Sequence, residues 1–116
     1  MNIYNNIKFH DFNIISVPPK VNGSESIQKQ SVLINHQHVL DCPASGIPPP
    51  KITWKFRGEV IPEYGSPSHR ILNNGGQLLL MNTQLFDAGF YSGIVSNIVG
   101  NTSLDFQVDV QGKHWY

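Results

Sequence analysis

Short apolar runs, separated by clusters of Gly, Pro and Asn, follow one another along the chain once the regular punctuation begins at VPPKVNGS (17–24). The runs are SVLIN (31–35), HVLDCPA (38–44), KITWKFR (51–57), EVIP (59–62), HRIL (69–72), QLLLM (77–81), GFYSGIVS (89–96) and TSLDFQVDV (102–110). No window shows helical periodicity beyond a single turn, so the pattern predicts an all-β chain. Between the runs lie GIPPP, GSPS, NNGG and NIVG. Pro48 to Pro50 cannot donate to a ladder and are expected in a loop. Asn73 to Gly76 tolerate positive φ and are expected to form a tight hairpin. The first sixteen residues, rich in Asn and Ile, carry no clean period and predict a disordered tail; the domain is expected over 17–111, followed by a short tail over 112–116.

Alternation within the runs predicts the inward faces, because successive side chains of a strand point to opposite sides. Leu40, Cys42 and Ala44 share one side, as do Ile52, Trp54 and Phe56. Leu78 with Leu80, Tyr91 with Gly93 and Val95, and Leu104 with Phe106, Val108 and Val110 obey the same rule. Burying a large side chain of this kind contributes about 1.5–3 kcal/mol. A two-sheet β-sandwich can therefore form a core without a covalent tie.

Composition narrows the function. The 116 residues balance eight basic against eight acidic side chains, and charged residues are only 14%. Such a neutral chain has no electrostatic footprint for nucleic acid, and no apolar run approaches the roughly 18 residues of a membrane span. The N-terminal stretch lacks an uninterrupted apolar core and a small-residue cleavage site, so no signal peptide is expected within this chain. One cysteine, Cys42, excludes an internal disulfide and a cysteine-based zinc site. The pair His36 and His38 could face a metal, but no Cys, Asp or Glu at a suitable spacing completes a set of three, and both are expected to be solvated turn residues. No nucleophile elbow, phosphate loop or dinucleotide fingerprint is present, so neither enzyme activity nor a cofactor is expected. Sequons at Asn22 (Asn-Gly-Ser) and Asn101 (Asn-Thr-Ser) fall in predicted loops, open to glycosylation if the protein is secreted.

Four passages in order carry a family signature. Cys42 precedes Trp54 through GIPPPKITW; QLLLMN follows; then DAGFY (87–91); then SNIVG (96–100). Together they resemble an immunoglobulin domain of the I-set over roughly Val17 to Val110, and DAGFY is similar to the tyrosine corner of that fold. The wording of SVLINHQHVLDCPASGIPPPKITW and NNGGQLLLMNTQLFDAG is most similar to the tandem repeats of hemicentins, giant extracellular matrix proteins. The resemblance implies a protein-binding or spacer module, with other immunoglobulin domains or matrix and cell-surface proteins as partners, possible self-association, and an extracellular place within a longer protein. It also implies that Asp87 is structural and pairs with an arginine, for which Arg70 is the candidate.

Gly93 departs from the family pattern, which places a second cysteine there. A bridge closing a loop of this length would contribute roughly 4 kcal/mol. Cys42 is then expected to be a buried thiol facing a gap beside Trp54. Two settings fit: a degenerate copy within an extracellular array, or an intracellular, sarcomere-type module that never relied on oxidation. Alternation places Lys51, Thr53, Lys55 and Arg57 outward on one strand, Phe90, Ser92 and Ile94 outward on the central one, and Asp105, Gln107 and Asp109 outward on the next. That face is expected to be basic along one edge, apolar in the middle and acidic along the other, which suits a protein contact.

Overall fold

The computed structural model describes residues 15–112. The expected tail over 1–16 falls outside the described residues except for Ile15 and Ser16, and 113–116 likewise fall outside. The described residues form ten strands: β1 (Val17–Val21), β2 (Gln28–Leu33), β3 (His38–Asp41), β4 (Ala44–Ile47), β5 (Lys51–Phe56), β6 (Glu59–Val60), β7 (His69–Leu72), β8 (Gln77–Leu80), β9 (Gly89–Asn97) and β10 (Gly100–Gln111). One layer is the five-stranded sheet β2-β10-β9-β5-β6; the other holds β3-β8-β7 together with the pair β1-β4. All ladders are antiparallel except β2 on β10.

Two strands lie where the residue pattern had suggested punctuation. Pro18 and Pro19 did not announce β1, yet a strand paired on one side only tolerates missing N–H groups. The register of β1 on β4 shifts between Val17 and Lys20, at those prolines, while Pro19 and Val21 are buried. The run expected over 38–44 divides at Cys42 and Pro43, and its continuation β4 extends to Ile47, so the proline loop begins only at Pro48. Between β7 and β8 the expected tight hairpin is a 3-10 turn, Asn73–Gly75, with Asn73, Asn74 and Gly75 all at positive φ. A second 3-10 turn, Leu85–Asp87, precedes β9.

The core fills the space between the layers. Leu40, Trp54, Leu78, Leu80, Tyr91, Val95, Phe106 and Val108 are buried, with Ile52, Phe56, Ala44 and Val110 half-buried against them. Trp54 anchors the centre: its ring lies 5.8 Å from that of Phe106, and its Nε1 donates to the Gly75 carbonyl at 2.7 Å. The two ends of the sandwich are knitted differently. At one, the Asn97 side chain donates to the carbonyls of Val17 (2.9 Å) and Pro48 (3.0 Å). At the other, Ile34 N donates to Gln111 O and Asn35 N to Thr83 O.

The gap expected beside Trp54 is closed. A Cβ placed on Gly93 would stand 3.1 Å from the Cys42 sulfur, 3.4 Å from its Cβ and 3.5 Å from the Trp54 ring. Interiors pack to crystal density, so the sheets settle until the thiol rests on the glycine backbone. Gly93→Cys should consequently form a bridge to Cys42 after a shift of a few tenths of an ångström, since bridged Cβ atoms lie about 3.5–4.5 Å apart. Oxidised, that variant should exceed its own reduced form by about 2–4 kcal/mol in urea unfolding. Two free thiols under oxidant, with an unmoved midpoint, would show that the sheets do not oppose these positions closely enough.

Candidate functional site

The outer face of β10, β9 and β5 is ordered by its ladders into rows that cross the strands. One row is Lys55, Ser92 and Asp105; the next toward the β1 end is Thr53, Ile94 and Ser103; on the other side Phe90 stands opposite Gln107. Phe90 is 55% exposed at the middle of the sheet, and Ile94 is half-buried. Ser92 Oγ donates to Asp105 Oδ1 at 2.8 Å and fixes that carboxylate over the face.

Two expectations for this face need correction, and Lys51 keeps its outward place but with an acidic partner. The acidic strand β10 is not an edge, because β2 lies beyond it and sets Lys29 opposite Gln107 and Ser31 opposite Asp109. The acidic side is thus interrupted by a cation. Lys51 reaches sideways to Glu63, 3.1 Å away, an exposed ion pair worth little in stability. Arg57 has φ 52, which takes it out of the strand alternation. Its guanidinium lies 4.9 Å over the Phe56 ring and donates to the carbonyls of Phe86 (3.2 Å) and Ala88 (3.0 Å), so it belongs to the end of the sandwich rather than to the face.

That end holds the tyrosine corner. Tyr91 Oη donates to the Asp87 carbonyl at 2.7 Å, and burial with the nearby Asp87 carboxylate pushes the phenol well above its ordinary range. The Asp87 carboxylate is buried and accepts from Gln84 N at 2.8 Å, closing a reciprocal cap on the 3-10 turn. The expected Arg70–Asp87 pair does not form. On β7, His69 and Ile71 face inward, and the same alternation sends Arg70 to solvent. Arg57 is the cation that secures this corner, through backbone carbonyls.

Residue-by-residue reading left His69 without a role, although its alternation with Arg70 and Ile71 carried the signal. It is 5% exposed, edge-on to Tyr91 and Phe56, whose rings stack at 4.4 Å. Ser66 Oγ accepts from His69 N (3.1 Å) and Ser68 N (3.3 Å), so its own proton points to His69 Nδ1 at 2.8 Å. Nε2–H then donates to Tyr91 Oη at 3.4 Å. Every proton in this chain has a place only when the imidazole is neutral. Burial lowers the His69 pKa, and Asp87 partly offsets that.

Asn22 is exposed in the turn after β1, whereas Asn101 is not in a loop: it is the second residue of β10, opposite Ser96, with its side chain exposed. His36 Nδ1 donates to the Ile34 carbonyl and His38 Nε2 to the Gln30 side chain, so the two imidazoles have separate partners. Among the described residues no three His, Cys, Asp or Glu side chains gather as a metal site. Cys42 is 1% exposed, and burial, with Asp41 nearby, raises its thiol to about 11, which makes it an inert core group.

Two packed sheets with a buried Trp54 under a tyrosine corner define an immunoglobulin-like sandwich. The immunoglobulin I-set domain model matches residues 22–110, and the chain belongs to that family. It is 38% identical over 96 residues to hemicentin-1 of Mus musculus and 36% identical over 96 residues to that of Homo sapiens. Each match covers 83% of this chain but only 2% of the hemicentin. Among solved structures, the titin M10–obscurin-like 1 Ig complex is similar with a TM-score of 0.73 and 24% identity, over 85% of this chain and 99% of that one.

The His69 arrangement has a pH consequence. Because its pKa is lower folded than the roughly 6.5 of the unfolded chain, acidification protonates the unfolded state first. Stability should fall as pH drops below about 6.5 toward the folded value, and level off below that. The urea midpoint should decline from about pH 7.5 to about 5.5, and His69→Phe should flatten that decline. An equal slope in the variant would assign the acid sensitivity elsewhere.

Proposed function

We propose that the chain is a non-enzymatic binding and spacer module of an extracellular matrix or cell-surface protein, with the outer face of β10, β9 and β5 as its contact surface. The observation that carries this reading is the 38% identity to an extracellular relative across almost the whole domain. The geometry suits a spacer. β10 alone spans about 36 Å at some 3.3 Å per residue, and it runs from the end where β1 starts to the end where Gln111 departs. Each module thereby adds its long dimension to an array. The mechanism is surface complementarity, with no chemistry performed.

A second reading is an intracellular, sarcomere-type I-set module. The unbridged Cys42 opposite Gly93 and the likeness to titin M10 favour it. Expression behind a signal peptide in animal cells separates the two. The secreted chain should lose mass on glycosidase treatment, through glycans on Asn22 or Asn101. An unchanged mass would move the assignment to the intracellular module.

A further inference from the structure

The order of side chains across the five-stranded sheet is self-complementary. β6 pairs with β5 so that Val60 stands beside Lys55, and the β2–β10 ladder, which opens at Gln28 opposite Phe106, brings Ile27 next to Asp105 when continued one residue back. One row therefore reads Val60, Lys55, Ser92, Asp105, Ile27: apolar, basic, polar, acidic, apolar. Val60 is 58% exposed and Ile27 49%. Adjacent strands are about 4.8 Å apart, so the backbones at Lys55 and Asp105 stand about 10 Å apart, with the Ser92 strand between them. Among the described residues neither has an ion-pair partner.

We propose that this face pairs with the same face of a second copy about a two-fold axis running parallel to β9. This partner assignment rests on the reading of the face as a contact surface. A face-to-face dimer has its dyad in the plane of contact, and the direction of the dyad decides which charges meet. A dyad across the strands lays β5 on β5 and β10 on β10, setting lysine against lysine and aspartate against aspartate. A dyad along β9 exchanges left for right and keeps the position along the strand. Because Lys55, Ser92 and Asp105 share one row, each Lys55 then lies over the other copy's Asp105 with no sliding. The same operation lays Val60 over Ile27 at both rims and brings Phe90 and Ile94 against their own counterparts on the axis. Face-packed twisted sheets depart from parallel by roughly 30°, a tilt that leaves this correspondence intact. Such an isologous contact matches unlike charges twice while the protein's net charge is zero.

Lys51 and Asn101 occupy another row of this face, opposite ends of the strand trio through Ser96. A glycan on Asn101 would cover the ground that the second copy needs, so the association belongs to the unglycosylated chain.

Sedimentation of the unglycosylated full chain at low salt tests the arrangement. A monomer–dimer equilibrium that weakens with added salt is expected. Lys55→Glu and Asp105→Lys should each weaken it about tenfold or more, with thermal midpoints close to wild type because both side chains lie on the outer face. Mixing the two single variants should restore dimers, since each then presents the sign that the other lacks, and the double variant alone should dimerise as well. A monomer at every concentration up to about 1 mM, or single variants that dimerise like wild type, overturns the proposal. So does a mixture that stays monomeric, which would also exclude this dyad if wild type dimerises. Any of these results leaves the extracellular assignment standing, because glycosidase sensitivity reports on it independently.

Discussion

The contact among Cys42, Trp54 and Gly93 governs how far apart the two sheets lie, and the rest of the sandwich is built to that spacing. Trp54 reaches across the interior to the Gly75 carbonyl and packs against Phe106, while the Cys42 thiol lies where a residue larger than glycine at 93 would crowd it. No disulfide joins the layers, since Cys42 is the chain's one cysteine. The sheets are held by dispersion and burial, which fall away quickly with even small gaps. Glycine at 93 is therefore a fitted part of this core.

Hydrogen-bonded clamps close both ends of the sandwich around that centre. Asn97 ties the start of β1 and the proline loop to the β9–β10 turn. At the opposite end Tyr91, Asp87 and Gln84 lock the 3-10 turn, with His69 and Ser66 completing a buried polar chain beside the stacked Phe56 and Tyr91. Buried polar chains of this kind rigidify only when every member is satisfied. The two clamps stand at opposite ends of the sandwich, near the start of β1 and near the end of β10.

The outer face of the large sheet turns the same ladders to a different use. Ladder register, rather than proximity along the chain, assembles Lys55, Ser92 and Asp105 into one row, and the hydroxyl of Ser92 steadies the carboxylate. With zero net charge overall, the partner proposed for this surface would be discriminated at contact distance and steered only weakly from afar.

Period-two alternation determined much of this fold by itself. The inward set from Leu40 to Val108, the absence of a bridge and the β-sandwich class follow from residue type and spacing, because a strand has only two faces and one must be apolar. The positions of Phe90, Ile94 and Asp105 on the outer face were legible for the same reason. Tertiary structure decided what alternation cannot express. Arg57 left the face because a positive φ ended its strand, Asp87 found backbone partners instead of Arg70, and the prolines of β1 were admitted because that strand is paired on one side only. Most of all, β2 added itself in parallel beyond β10 and brought Lys29 to the flank of the acidic strand. Pairing between strands so distant along the chain depends on which edge is left open once the core has closed, and no local pattern encodes that.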